Sequence, residues 1–192
     1  EPAKRENLAK KIMELNEQRK NLVVDGETAT ALQAKENFEA YGKKFCLVSS
    51  DAVNRGITGI LSSKLMQKYN VPAVTITFID GGNIAVGSMR SCRGCIATDF
   101  LGSFSELFIN YGGHDYAAGF SLYKEQFDEF MERIKKAASN ITLTGDDGEV
   151  NIDAELPAEY ITPELSAIVS RFEPFGADNK ELVFASKSLP LH

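Results

Sequence analysis

Residues 45–90 read FCLVSSDAVNRGITGILSSKLMQKYNVPAVTITFIDGGNIAVGSMR, and the order of patterns in that stretch decides the fold. Phe45 to Ser49 is a short apolar run, consistent with a buried strand. A polar loop follows. Ile57, Ile60, Leu61 and Leu65 then recur at helical spacing, which predicts a helix to about Tyr69, stopped by Asn70. Val71 to Ile79 is rich in Val, Ile, Thr and Phe and predicts a strand. Asp80-Gly81-Gly82-Asn83 is a hairpin turn, and Ile84 to Met89 returns as its partner. A strand–helix–strand unit feeding a hairpin implies an α/β fold with a mixed sheet flanked by helices.

Upstream, residues 4–24 read as a helix with Leu8, Ile12, Leu15 and Leu22 on one face. Asp25-Gly26 is expected to interrupt it. A second helix then runs from Glu27 to Tyr41, with Gly42 as its C-cap. Downstream, residues 97–110 read as one or two short helices, Tyr111 to His114 as a loop, Ala117 to Leu122 as a strand and Lys124 to Ala138 as a helix. Thr144 to Gly148 is a turn or linker. Val150 to Leu156 looks extended, Pro163 opens a helix to Phe172, and Leu182 to Ser186 is a last extended run. The expected organisation is connector helices over 1–42, an α/β domain over 43–140, and a linker with a further segment over 141–192.

With 192 residues, 43% of them hydrophobic and 25% charged, the chain has ordinary globular composition and enough length to bury a core. Three cysteines are too few, and of the wrong parity, for a secreted disulfide framework, which points to a reducing cytoplasmic compartment. No run approaches the roughly 20 apolar residues that span a bilayer, and no signal peptide is visible, so no membrane partner is expected. The chain opens on Glu1 rather than Met, so what lies outside it is expected to matter. The net charge of −6 argues against a general polyanion-binding surface. Locally, Arg55 to Arg93 holds five bases and one acid, a +4 segment, whereas Gly145 to Glu164 holds seven acids and no base. A phosphate ligand would seek the first; two solvated faces of opposite sign are the plainer alternative.

Four constellations could carry chemistry. In Gly112-Gly113-His114 the glycines free backbone N–H groups for a ligand and the histidine can donate to a phosphate oxygen; taken alone, a Gly-rich turn with an incidental histidine is the better reading. Ser88 and Arg90 are two apart on a strand, so both point to one face. A hydroxyl beside a planar guanidinium fork suits phosphate, as it also suits a solvent-facing strand end. Around Arg55, Gly56, Gly59 and Ser62, a helix N-terminus favours anions; tight helix–sheet packing is the better reading of Gly59. Cys92-Arg93-Gly94-Cys95 has C-x-x-C spacing, but a structural zinc needs four ligands, so small buried residues are the better reading. No D-x-D at a strand end and no H-E-x-x-H is present, so nothing here looks able to activate water.

Taken in order, RGITGILSSKLMQKYNVPAVTIT, GSMRS and GGHDYAAGFSL resemble the DHH-associated domain of RecJ-like single-stranded-DNA exonucleases, in the DHH phosphoesterase superfamily. VNIDAELPAEYITPEL and RFEPFGADNKELVF resemble the family's segment leading into its nucleic-acid-binding barrel, and RENLAKKIMELNEQRK resembles the connector helix. The resemblance implies a long connector helix before the α/β domain and the start of a barrel-leading segment after it. It also implies a 5′ to 3′ exonuclease of DNA repair and recombination, its manganese or magnesium held by a DHH domain outside this chain. No cofactor is then expected in this piece, which would be inactive alone. Single-stranded DNA and the DHH domain are the implied partners. Ser88 and Arg90 match the family's Ser-x-Arg, implying a grip on substrate phosphate. His114 matches the Gly-Gly-His histidine, implying a place near the scissile phosphate beside Gly112 and Gly113. Arg55, Ser62 and Arg93 are further candidates. Met89 stands where a small residue is common and could narrow the approach to phosphate. The rival readings are an oligoribonuclease or cyclic-dinucleotide phosphodiesterase of the same superfamily, and a stand-alone nucleic-acid-binding module.

Overall fold

The computed structural model describes residues 2–145, 151–176 and 179–187. Contacts divide the chain into two units, one ending at Asp146 and the other beginning at Asp147.

The first unit is built on a five-stranded sheet of β1 (Cys46–Ser49), β2 (Ala73–Ile79), β3 (Ile84–Arg90), β4 (Asn110–His114) and β5 (Ala117–Tyr123), in the order β1-β2-β3-β5-β4. β1 and β2 are parallel, joined through α2 (Thr58–Tyr69), and the other three pairings are antiparallel. The mixed α/β sheet expected from residues 45–90 is therefore present. Asn70 stops α2 in a left-handed conformation, which asparagine tolerates better than most residues.

Strand alternation sorts side chains to two faces. Along β3, Ala85, Gly87 and Met89 are buried while Val86, Ser88 and Arg90 are partly open. The buried face meets α3 (Ala97–Gly102) and α4 (Phe127–Ser139) in one core containing Phe45, Met89, Leu101, Phe104, Phe120, Phe130 and Ile134. Each such side chain stabilises the fold by about 1.5–3 kcal/mol. Edge-to-face rings, Phe104 on Phe130 at 5.5 Å among them, fix their mutual orientation. Met89 is fully buried in this core. It points away from the open face and does not narrow it.

On the other face, α1 (Pro2–Ala40) and α2 cover the β1 side of the sheet, packing Ala34, Val48, Val71 and Ala73 together. The expected break at Asp25-Gly26 does not occur, and α1 is one helix. A Cβ on Gly26 would lie 2.9 Å from Leu61 Cδ1 and 3.1 Å from Ile57 Cδ1. The glycine thus lets α1 approach the start of α2, which offsets its intrinsic cost of about 1 kcal/mol in a helix. Lys64 pairs with Glu27 at 2.7 Å across the same contact. Leu8, Ile12, Leu15 and Leu22 are exposed along the first half of α1.

Tyr111 to His114, read as a loop, is most of strand β4. Its pairing with β5 is complete from Asn110↔Ser121 to His114↔Ala117. Propensity gave no sign of this, because glycines are poor strand formers and only the partner strand supplies the ladder.

The second unit holds a two-residue parallel pair, β6 (Ala154–Glu155) with β7 (Phe184–Ala185), and α5 (Pro163–Val169). The extended run expected from Val150 shortens to β6, and Val150 itself lies outside the described residues. Thr162 caps α5 by accepting from the Leu165 amide, with Pro163 in the first turn. Asn179 donates its side-chain amide to the carbonyls of Phe172 and Pro174 at 2.7 and 3.0 Å, which ties the EPFG turn together. Asp146, Asp147 and Glu149 of the acidic segment lie outside the described residues, as do Ala177, Asp178 and His192.

Candidate phosphate-binding trough

Because α2 lies over β1, β2 and β3, the β5–β4 side of that sheet face is left open, and β4 is exposed along its length. The register lays out what this open face presents. One row across the strands is Ser88, Gly119, Gly112 and the next is Arg90, Ala117, His114. Directly paired residues share a face, so Ser88, Arg90, Gly112 and His114 are all on this one. Arg90 and His114 are two strand spacings apart, about 9–10 Å.

A cavity of about 480 Å³ occupies the face, with Ser88, Gly112 and Gly119 on its floor and Arg55 and Thr58 on the α2 side. Gly112 and Gly119 are not glycines for reasons of packing. A Cβ on Gly112 would meet nothing within 4 Å, and one on Gly119 only the Gly87 carbonyl oxygen at 3.6 Å. What their hydrogens preserve is the depth of the trough. Gly113 differs: its φ is +152° and a Cβ would collide with the Ala117 carbonyl and Ala118. By alternation it faces the opposite side, so of the two adjacent glycines only Gly112 lines the cavity.

Arg90 donates from Nη1 to the Met89 carbonyl at 2.9 Å, and its guanidinium lies against the first turn of α2. A Cβ on Gly59 would sit 2.7 Å from Arg90 Nη2, so Gly59 is the space that admits the fork. Among the described residues no carboxylate pairs with Arg90 or Arg55. A guanidinium at the positive end of a helix, with no carboxylate beside it, is open to an anion.

Ser88 shares a hydrogen bond with Thr58 Oγ1 at 2.9 Å. Ser62, a further sequence candidate, is fully buried; its hydroxyl donates to the Ser88 carbonyl at 2.7 Å, with that of Thr58 at 3.0 Å. It therefore holds α2 to β3 rather than facing a ligand. Arg93 is also committed elsewhere. Its Nε donates to the carbonyls of Thr144 and Gly145 at 3.2 and 3.0 Å, and Nη1 to that of Asn70 at 3.4 Å, beyond the C-terminus of α2. Lys64 is paired with Glu27 and Lys68 sits over the Tyr69 ring. Of the five bases in the +4 segment, Arg55 lines the cavity; Arg90 stands with His114 in the adjoining row of the same sheet face, and neither is among the cavity's lining residues.

Thr58, Asn110 and Ser121 line the cavity and escaped sequence reasoning. Reading Gly112 as a strand residue would have found Asn110, two positions before it on the same face.

Cys92 and Cys95 close a tight turn through Cys95 N–H donating to the Cys92 carbonyl at 3.1 Å. Burial pushes the Cys95 thiol up, against a lowering hydrogen bond from Ser91. Among the described residues no three of His, Cys, Asp and Glu converge to hold a metal ion. The residues present do not fit manganese or magnesium, and no chemical step here runs through one.

The DHHA1 domain family matches residues 42–140, just over half the chain. The chain belongs to the DHHA1 family. The RecJ OB domain family matches residues 152–192, so the DHHA1 domain is followed by a RecJ-type segment, and the chain is RecJ-like. It is 31% identical over 176 residues to the single-stranded-DNA-specific exonuclease RecJ of Bacillus subtilis, covering 91% of this chain and 22% of that protein. The RecJ of Salmonella typhimurium is 27% identical over 185 residues, with coverages of 92% and 32%. The chain thus spans about a fifth to a third of the length of these relatives. In fold it is similar to crystalline RecJ from Thermus thermophilus in complex with Mn²⁺, with a TM-score of 0.71 at 24% identity over 94% of this chain and 26% of that one. The complex of that RecJ with Mg²⁺ gives 0.68 at 24% identity, with coverages of 93% and 27%.

Proposed function

We propose that this chain is the substrate-holding part of a metal-dependent single-stranded-DNA exonuclease that digests 5′ to 3′ in DNA repair and recombination, in the cytoplasm. In this reading residues 1–42 connect to a DHH catalytic domain, which holds manganese or magnesium. Residues 43–140 grip substrate, and residues 141–192 lead into a nucleic-acid-binding barrel. Single-stranded DNA is the partner of the trough. Ser88 and Arg90 hold a phosphate near the 5′ end, with Arg55 at the rim, and His114 donates toward the scissile phosphate beside Gly112.

The observation that carries the reading is Arg90. Its guanidinium rests on the first turn of α2 with no carboxylate partner among the described residues, one row from an open floor of glycines. A terminal phosphate carries close to two charges and three acceptor oxygens, the complement of a guanidinium fork, a hydroxyl and an imidazole N–H. An oligoribonuclease or cyclic-dinucleotide phosphodiesterase would need the same grip. The match of residues 152–192 to the RecJ OB domain favours the exonuclease.

The test is directional digestion by the intact protein. With Mn²⁺ and a single strand labelled at either end, the 5′ label is released first and a matched duplex is spared. Release of the 3′ label first, or equal digestion of the duplex, contradicts the reading.

A further inference from the structure

The trough is longer than a phosphate needs. Beyond the row of Ser88, Gly119 and Gly112 lies a row of Val86, Ser121 and Asn110, and all three line the same cavity. Successive same-face rows are about 7 Å apart, so this row is some 14 Å from Arg90 and His114. The face therefore has a cationic end, a bare backbone floor, and a small polar end. Its volume of about 480 Å³ falls within the roughly 300–1,000 Å³ of small-ligand sites.

The polar end is unfinished. Ser88 has Thr58 as a partner, but the Asn110 amide and the Ser121 hydroxyl take part in none of the hydrogen bonds among the described residues. They are register partners, side by side on an open face. An amide and a hydroxyl each offer both a donor and an acceptor, beside the apolar Val86 side chain.

We propose that Asn110 and Ser121 form a nucleoside subsite: they hydrogen-bond the edge of the base attached to the phosphate held at Arg90 and Ser88, while the sugar crosses Gly119 and Gly112. The inference rests on the phosphate reading above and adds what lies next to the phosphate. Groups that both donate and accept meet the edge of any base, so the subsite senses that a base is present and not which one. This suits an enzyme that must advance through every sequence. It also gives the two open glycines a purpose, since a methyl on either would lift the sugar from the floor.

The experiment measures binding of short single strands to the intact protein by fluorescence anisotropy in metal-free buffer, where no cleavage occurs. The strands carry a 5′-phosphate on a first residue that is dA, dC, dG, dT or an abasic tetrahydrofuran. A matching strand with a 5′-hydroxyl is the control. The wild-type protein binds the four base-bearing strands alike and the abasic one about fivefold more weakly, the equivalent of about one neutral hydrogen bond. Asn110→Ala and Ser121→Ala each shrink that ratio toward one, by loss of affinity for the base-bearing strands, and keep the preference for 5′-phosphate over 5′-hydroxyl. A wild-type protein that binds abasic and base-bearing strands equally overturns the subsite. So do variants that weaken both kinds of strand by the same factor. If the wild-type protein shows no 5′-phosphate preference, the phosphate reading fails first and the subsite falls with it.

Discussion

Gly112 and Gly113 are adjacent, chemically identical and placed for different reasons. At Gly113 the backbone is at φ +152° and any Cβ would enter the neighbouring strand; at Gly112 a Cβ would meet open space. Gly113→Ala is therefore expected to lower stability by more than about 1 kcal/mol, whereas Gly112→Ala leaves the unfolding midpoint nearly unchanged and weakens strand binding by crowding the floor. Denaturant melts and binding isotherms of the two variants separate these effects. Equal stability losses would contradict the account. Cys46 gives a pH prediction at the same scale. Burial pushes its thiol from 9.0 up to about 12, with Lys68 opposing. A raised thiol pKa means the folded state holds its proton longer than the unfolded chain does, so the stability it confers is complete below about pH 9 and is lost as pH rises toward 12. Cys46→Ala should flatten that part of the stability–pH curve.

Among the elements, α1 divides into two halves of different exposure. From Val23 onward it buries Val23, Thr30 and Ala34 against the rest of the first unit, while Leu8, Ile12 and Leu15 remain 52–65% exposed. Leu15→Gln should change the stability of this chain by no more than about 0.5 kcal/mol, whereas Ile134→Ala, in the core face of α4, should cost about 2–5 kcal/mol. Chemical denaturation of the 192-residue chain checks both; a large loss at Leu15 would mean that α1 folds back on this chain. The same elements show what could be read in advance. The β1-α2-β2-β3 order was legible because period-two and period-3.6 patterns alternate cleanly there and Asn70 and Asp80-Gly81-Gly82-Asn83 punctuate them. The face shared by Ser88 and Arg90 followed from strand alternation alone. β4 was not legible: Tyr111-Gly112-Gly113-His114 has turn composition and becomes a strand only through β5. The continuity of α1 through Gly26 depends on Leu61 and Ile57, which are distant in sequence. Ser62 and Arg93 looked available because composition does not reveal which hydroxyl or guanidinium is already bonded to a backbone carbonyl.

At the scale of the whole molecule, a chain of net charge −6 holds two guanidinium groups, without a carboxylate partner among the described residues, beside one open sheet face, so its affinity for DNA should be local and modest. With few phosphates neutralised, log K should fall with log salt at a slope of about −0.7 per phosphate contacted. A slope of two to three contacts fits the trough. The chain by itself, incubated with Mn²⁺ and labelled single strands, is expected to leave them intact, as no cluster among its described residues holds a metal; metal-dependent cleavage by the highly purified chain would contradict the division of labour proposed here. The grip of Arg90 on a terminal phosphate can be measured as the ratio of affinities of the intact protein for 5′-phosphorylated and 5′-hydroxyl single strands, before and after Arg90→Ala. The substitution is expected to remove about 1.5–3 kcal/mol from binding of the phosphorylated strand alone, so that the ratio collapses toward one and Arg90→Lys restores it only in part. An Arg90→Ala protein that keeps the wild-type preference for the 5′-phosphate would contradict the grip.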